Sequence, residues 1–190
     1  IGTVDVDSTV IIGNYAGASV MTNAASGTVA IGKSSLSTLT SGARNTAVGY
    51  QALDAEDEGS HSTAIGYQAL SAQNNNTGAN TAVGMQSGLS VVTGHSNTFV
   101  GSGSGITIAG GIQNTYIGRD ADGIAARINS TALGYGATGV ADNSVTLGNA
   151  SVTDVYMASD SGAIVHSGAL VNGLSAILLT TGTLAYATHS

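Results

Sequence analysis

A nine-residue phrase recurs along this chain and constrains its fold more than any other feature. Asn45-Thr46-Ala47-Val48-Gly49-Tyr50-Gln51-Ala52-Leu53 returns as Ser62-Thr63-Ala64-Ile65-Gly66-Tyr67-Gln68-Ala69-Leu70, and weaker copies centre on Gly13, Gly32, Gly84, Gly101, Gly118, Gly134 and Gly148. The anchor glycines are separated by steps of 19, 17, 17, 18, 17, 17, 16 and 14 residues. A repeat this short and persistent predicts a solenoid, each copy one rung stacked on the last. Nine anchors give eight steps, or roughly 38 Å of stack at the spacing of neighbouring strands.

The residues before each anchor read as a strand. The position just before it holds Ile12, Ile31, Val48, Ile65, Val83, Val100, Ile117, Leu133 and Leu147, and two residues earlier stand Val10, Val29, Val145 or a threonine (Thr46, Thr63, Thr81, Thr98, Thr115, Thr131). Side chains two apart share one face of a strand, and β-branched residues suit a pleated surface. These two rows are the expected buried face. The position between them is usually alanine (Ala30, Ala47, Ala64, Ala82, Ala132), expected to face a neighbouring chain. Asn or Ser before the strand is a turn former that bonds from rung to rung. A second set of glycines, Gly42, Gly59, Gly78, Gly94 and Gly111, predicts a second turn, hence two short strands per rung.

Composition narrows the class. Charged residues make up 8% of the 190, against 42% hydrophobic, with 28 glycines and no proline or cysteine. Collagen needs a strict triplet period, and disorder goes with fewer apolar residues. The net charge of −7 rests on eleven acids against Lys33, Arg44, Arg119 and Arg127; four scattered cations do not build a nucleic-acid interface. The apolar run Leu174–Leu179 is far short of the roughly 20 residues that span a bilayer, so no membrane insertion is expected. The chain opens at Ile1 without a charged leader and reads as a fragment or processed product.

The segments Asn143-Ser144-Val145-Thr146-Leu147-Gly148 and Gly27-Thr28-Val29-Ala30-Ile31-Gly32 resemble the head repeat of trimeric autotransporter adhesins. The longer phrase is similar to repeats of phage tail-fibre and related trimeric surface proteins. The resemblance covers about residues 8 to 150 and implies an all-β fold: a left-handed parallel β-roll, three chains to a particle. It departs from the adhesins in its longer period and in threonine where they have valine. The right-handed crossover rule points to the opposite hand. Two regions follow: a repeat roll over residues 1–150 and a β-rich cap or interchain segment over 151–190.

Candidate sites are few. Tyr50 and Tyr67 follow their glycines on successive rungs, while Phe99 and Tyr116 replace alanine at the middle strand position. Both pairs are expected as surface ladders that seal chain contacts or meet a receptor glycan. Leu36, Leu53 and Leu70 are expected to cover a seam between chains. Asp54, Glu56, Asp57 and Glu58 are the weak candidates for Ca²⁺, but lack the spaced ligands of a calcium loop and read as a solvated turn. His61, His95, His166 and His189 share no metal or catalytic spacing, and no nucleophile elbow or phosphate loop is present. No cofactor and no enzymatic activity are expected. The expected function is structural and adhesive: a homotrimeric phage tail or head fibre segment, located on the virion, or alternatively a bacterial adhesin head at the cell surface binding matrix or glycan. Partners would be virion or cell-surface attachment proteins and a cell-surface glycan. An ice-binding solenoid is a third reading, disfavoured because its threonines are expected to be buried.

Overall fold

The computed structural model describes residues 8–19, 21–22 and 25–155. Nine short strands form one parallel sheet in strict chain order: β1 (Val10–Ile12), β2 (Val29–Ile31), β3 (Thr46–Val48), β4 (Thr63–Ile65), β5 (Thr81–Val83), β6 (Thr98–Val100), β7 (Thr115–Ile117), β8 (Ser130–Leu133) and β9 (Ser144–Leu147). Register is exact to the repeat, with Thr46 beside Thr63, Ala47 beside Ala64 and Val48 beside Ile65. The chain is therefore a β-solenoid of about eight turns, each rung pairing only with its neighbours. The compact unit containing all nine strands ends at Asp154; the expected cap lies outside the described residues from Tyr156 onward.

Each described rung carries one named strand, not the two expected. The remainder is a chain of turns, joined from rung to rung by backbone hydrogen bonds such as Leu53 N–H to the Ala69 carbonyl (3.1 Å). Outside the named strands, the described residues add two isolated bridges, Ile112–Ile128 and Asp122–Thr138. Seventeen-residue rungs closing on so little strand need sharp corners. The described non-glycine residues at positive φ fall into three columns that supply them. One lies two residues past the anchor (Gln51, φ 52°; Gln68, φ 53°), one at the interior leucines (Leu53, φ 52°; Leu70, φ 51°), and one just before the Asn/Ser position (Arg44, φ 56°; His61, φ 64°). Each costs about 1–2 kcal/mol relative to the right-handed region, offset here by the stacking that every corner repeats.

The facing of the strands is the reverse of the sequence expectation. The middle residue points inward: Ala30, Ala47, Ala64, Ala82, Phe99, Tyr116 and Ala132 are completely buried. The flanking threonines and aliphatics point outward, half-buried or exposed, with Ile65 at 40% and Leu147 at 46%. Leu36, Leu53 and Leu70 fill the solenoid interior rather than a seam between chains. The physical reason is width. A rung with one strand and tight turns encloses a narrow lumen, and on rungs 2 to 4 the alanines Ala30, Ala47 and Ala64 each go with a buried leucine six residues on, Leu36, Leu53 and Leu70.

Phe99 and Tyr116 obey the same volume rule. Where they replace alanine, the interior leucine is gone. A Cβ on Gly105 would lie 2.4 Å from Phe99 Cδ1, and one on Gly123 would lie 2.1 Å from the Tyr116 hydroxyl oxygen. Small meets large across the lumen, as close packing requires. The anchor glycines have two reasons to lack a side chain. Gly49 has φ 140°, and its missing Cβ would lie 2.3 Å from the carbonyl oxygen of Gly66 one rung on.

A polar column closes the lumen on its other side. Asn97 donates its backbone N–H (2.9 Å) and its side-chain Nδ2 (3.1 Å) to Asn80 Oδ1, and that same Nδ2 also donates to the Gly111 carbonyl (2.7 Å). Asn114 repeats the pattern on Asn97 Oδ1 and the Arg127 carbonyl. Fully buried amides that find partners in this way tie each strand entrance to the closing turn of its own rung and to the strand entrance of the next.

Candidate functional site

The outward face of the sheet is a regular surface that repeats from β1 to β9. Two rows run along it. The threonine row holds Thr46, Thr63, Thr81, Thr98, Thr115 and Thr131 in consecutive register, and the aliphatic row runs from Ile12 through Ile65 and Ile117 to Leu147. No charged residue occupies any of the nine strands. Val100 (36%) and Ile117 (41%) are among its exposed members. An unbroken aliphatic row facing solvent over nine rungs is far from the scattered exposure of ordinary surfaces.

The corner beside this face carries the aromatic ladder. Tyr50 and Tyr67 are exposed and stacked, ring centroids 5.4 Å apart with planes 9° from parallel. Lys33 places its ammonium 5.7 Å from the Tyr50 centroid, on the preceding rung, and Met85 follows Tyr67 in the same row. Alongside, Gln68 donates to Gln51 Oε1 (3.1 Å) and Gln86 donates to Gln68 Oε1 (3.2 Å). The rings spend their inner faces on each other, and Lys33 sits over the other face of Tyr50. A sugar ring stacking flat on an aromatic needs a free face. Tyr50 has none left within the ladder, whereas Tyr67 meets Tyr50 on one side alone.

The other aromatic pair is not part of any surface. Phe99 and Tyr116 are fully buried, centroids 5.8 Å apart and planes tilted by 32°. Their place as candidate binding residues is overturned: at the middle strand position a large side chain fills the lumen.

The acidic turn is also corrected. Glu58 is exposed and Asp54 and Asp57 are half-buried, but Glu56 is fully buried. Its Oε1 accepts the backbone N–H groups of Asp57 (3.1 Å) and Gly59 (2.7 Å), and its Oε2 accepts Gln73 Nε2 (2.6 Å). Burial pushes the carboxyl above its ordinary range, with the Gln73 amide and backbone donors pulling the other way. Among the described residues no group of three or more His, Cys, Asp or Glu is placed to hold a metal. His61 lies exposed beside Arg44 (3.2 Å) and His95 beside Ser96 (3.2 Å); His166 and His189 lie outside the described residues. No described helix is long and apolar enough to cross a membrane.

No protein-family model matches this chain, and no curated protein matches it either.

Proposed function

We propose that the chain is a rigid, non-enzymatic segment of a homotrimeric surface fibre, three copies packing through their outward sheet faces. The observation that carries this reading is the charge-free Thr/aliphatic face with exposed Ile65, Val100, Ile117 and Leu147. Nine rungs of about 4.8 Å, with the tyrosine and glutamine rows as rim, give a strip of the order of 800 Å² per chain, the size of a standard stable interface. Cyclic packing suits a rod that projects from a surface. On the resemblance of the repeats, we take the fibre to belong to a phage tail or head and to serve host attachment. The 17-residue period and the threonine row favour it over a bacterial adhesin head. The same reading takes the roll as left-handed and residues 151–190 as its cap. Light scattering tests it: a particle of three times the 18.5 kDa chain mass is expected, and a stable monomer would sink it.

A second reading gains ground from the same face. Thr46 through Thr131 point outward in register, where the sequence expectation had them buried, and regular threonine rows order water against a flat sheet. An ice-binding solenoid would show thermal hysteresis as a monomer. In the trimer this face is covered, and none is expected.

A further inference from the structure

The repeat creates a problem that the fold has to solve. Rungs 3 (residues 45–61) and 4 (62–79) carry nearly identical phrases, and their neighbours differ little at most columns. If rung 3 were left out during folding, β2 would meet β4 with Ala30 beside Ala64, Ile31 beside Ile65 and Leu36 beside Leu70. Leaving out rung 4 would put Asn45 beside Asn80 and Gln51 beside Gln86. Each of these pairs is as compatible as the one it replaces.

One interior column breaks the degeneracy. It runs Leu39, Glu56, Gln73, Val91, Ile108 on rungs 2 to 6, and all five side chains are fully buried. Two polar residues sit there together between apolar ones. Gln73 Nε2 donates to Glu56 Oε2 (2.6 Å) and to Ser62 Oγ (2.9 Å), and Gln73 Oε1 accepts Asn80 Nδ2 (2.8 Å). The network thus binds rung 3 to rung 4 and rung 4 to the asparagine column. Omission of rung 3 would set the Gln73 amide against Leu39. Omission of rung 4 would set the Glu56 carboxylate against Val91. The first costs Gln73 Nε2 its bond to Glu56, although Ser62 and Asn80 stay with it; the second leaves Glu56 Oε2 without Gln73, although Oε1 keeps the Asp57 and Gly59 N–H groups. Either way a buried polar atom faces an aliphatic side chain with a hydrogen bond unmade, which is penalised.

We propose that Glu56 and Gln73 form a register key, a buried polar pair that makes rungs 3 and 4 distinguishable and suppresses rung-skipped stacking. Buried polar pairs are best attested in this use: they set registry at some cost in stability. The key acts within one chain and does not depend on how copies associate.

The chain has no cysteine, so engineered disulfides report register directly. Lys33, Tyr50 and Tyr67 are exposed and equivalent on rungs 2, 3 and 4. Adjacent rungs bring such positions about 4.8 Å apart, whereas rungs two apart are separated by roughly 9.6 Å, beyond the reach of a disulfide. After refolding from denaturant under oxidising conditions, intrachain cross-links are read by mass. Lys33→Cys/Tyr50→Cys should close, and Lys33→Cys/Tyr67→Cys should stay open. Adding Glu56→Leu/Gln73→Leu should raise cross-linking of the second pair at least about tenfold while the circular dichroism remains that of a folded roll. Equal yields with and without the key would overturn the proposal. The exchanged variant Glu56→Gln/Gln73→Glu decides the matter if the leucine pair folds poorly. It keeps one carboxylate–amide pair and should leave the Lys33→Cys/Tyr67→Cys pair open; closure of that pair would overturn the key.

Discussion

At the residue scale, burial sorts residues that look alike in sequence. Val48 faces outward and Ala47 inward, so Ala47→Asp should unfold the roll by placing a carboxylate in a closed lumen, a loss of about 3–5 kcal/mol. Val48→Asp should keep the fold and weaken association instead. Circular dichroism melts paired with light scattering separate the two outcomes. Glu56, Asp54 and Asp122 all have their carboxyls pushed above the ordinary range, burial being the first cause in each. A raised folded value means that the fold takes up protons more readily than the unfolded chain. Stability should therefore rise as pH falls from neutral through the folded values, and level off near the unfolded ones at about 4. A melting temperature higher at pH 5 than at pH 7 is expected, with a smaller rise in Glu56→Gln. The reverse trend would show that paired carboxylates elsewhere dominate.

At the scale of the rung, packing is a matter of complementary volumes. Ala47 goes with Leu53 and Ala64 with Leu70, six residues apart, while Phe99 goes with Gly105. Phe99→Ala should cost about 3–5 kcal/mol by opening a cavity, and Gly105→Leu alone should clash with the ring. Together they rebuild the arrangement of rungs 3 and 4. Gly105 already has φ 65°, near the 52° that Leu53 accepts. The double variant should recover at least about 1 kcal/mol over the sum of the single losses, a coupling that a double-mutant cycle measures. Additive losses would mean that the two positions do not share one space. The same relation was open to reading in the sequence. Aromatics take the middle strand position only in the rungs that lack the interior leucine, a signal of shared volume rather than of a surface ladder.

At the scale of the whole molecule, the face that the rungs build together matters more than any single residue. If copies pack by it, the interface is apolar and uncharged, so association should change little between low and high salt. The net charge of −7 per chain is spread thinly and screened beyond about 8–10 Å at ordinary ionic strength. Sedimentation or light scattering at two salt concentrations checks this; dissociation at low salt would point to charge repulsion along the particle. Thr81→Lys with Thr98→Lys on the outward row should break the assembly into monomers that melt as rolls.

The repeat phrase by itself determined that the chain stacks parallel rungs, where each strand lies and in what register, because spacing and β-branching are local properties of the chain. It also marked the anchor glycines, whose positive φ and close carbonyl contact the structure displays at Gly49. Which side of each strand faces in was decided only by the tertiary structure. Alternation along a three-residue strand names two faces but does not say which is closed, and a Thr-Ala-Val triplet suits either. The answer came from the width of the lumen, set by corners at Gln51, Leu53 and His61, whose positive φ is announced only on other rungs, by residues such as Gly103, Gly105 and Asn129. That one choice moved Phe99, Tyr116 and Leu53 into the core and left Thr63 and Ile65 facing outward.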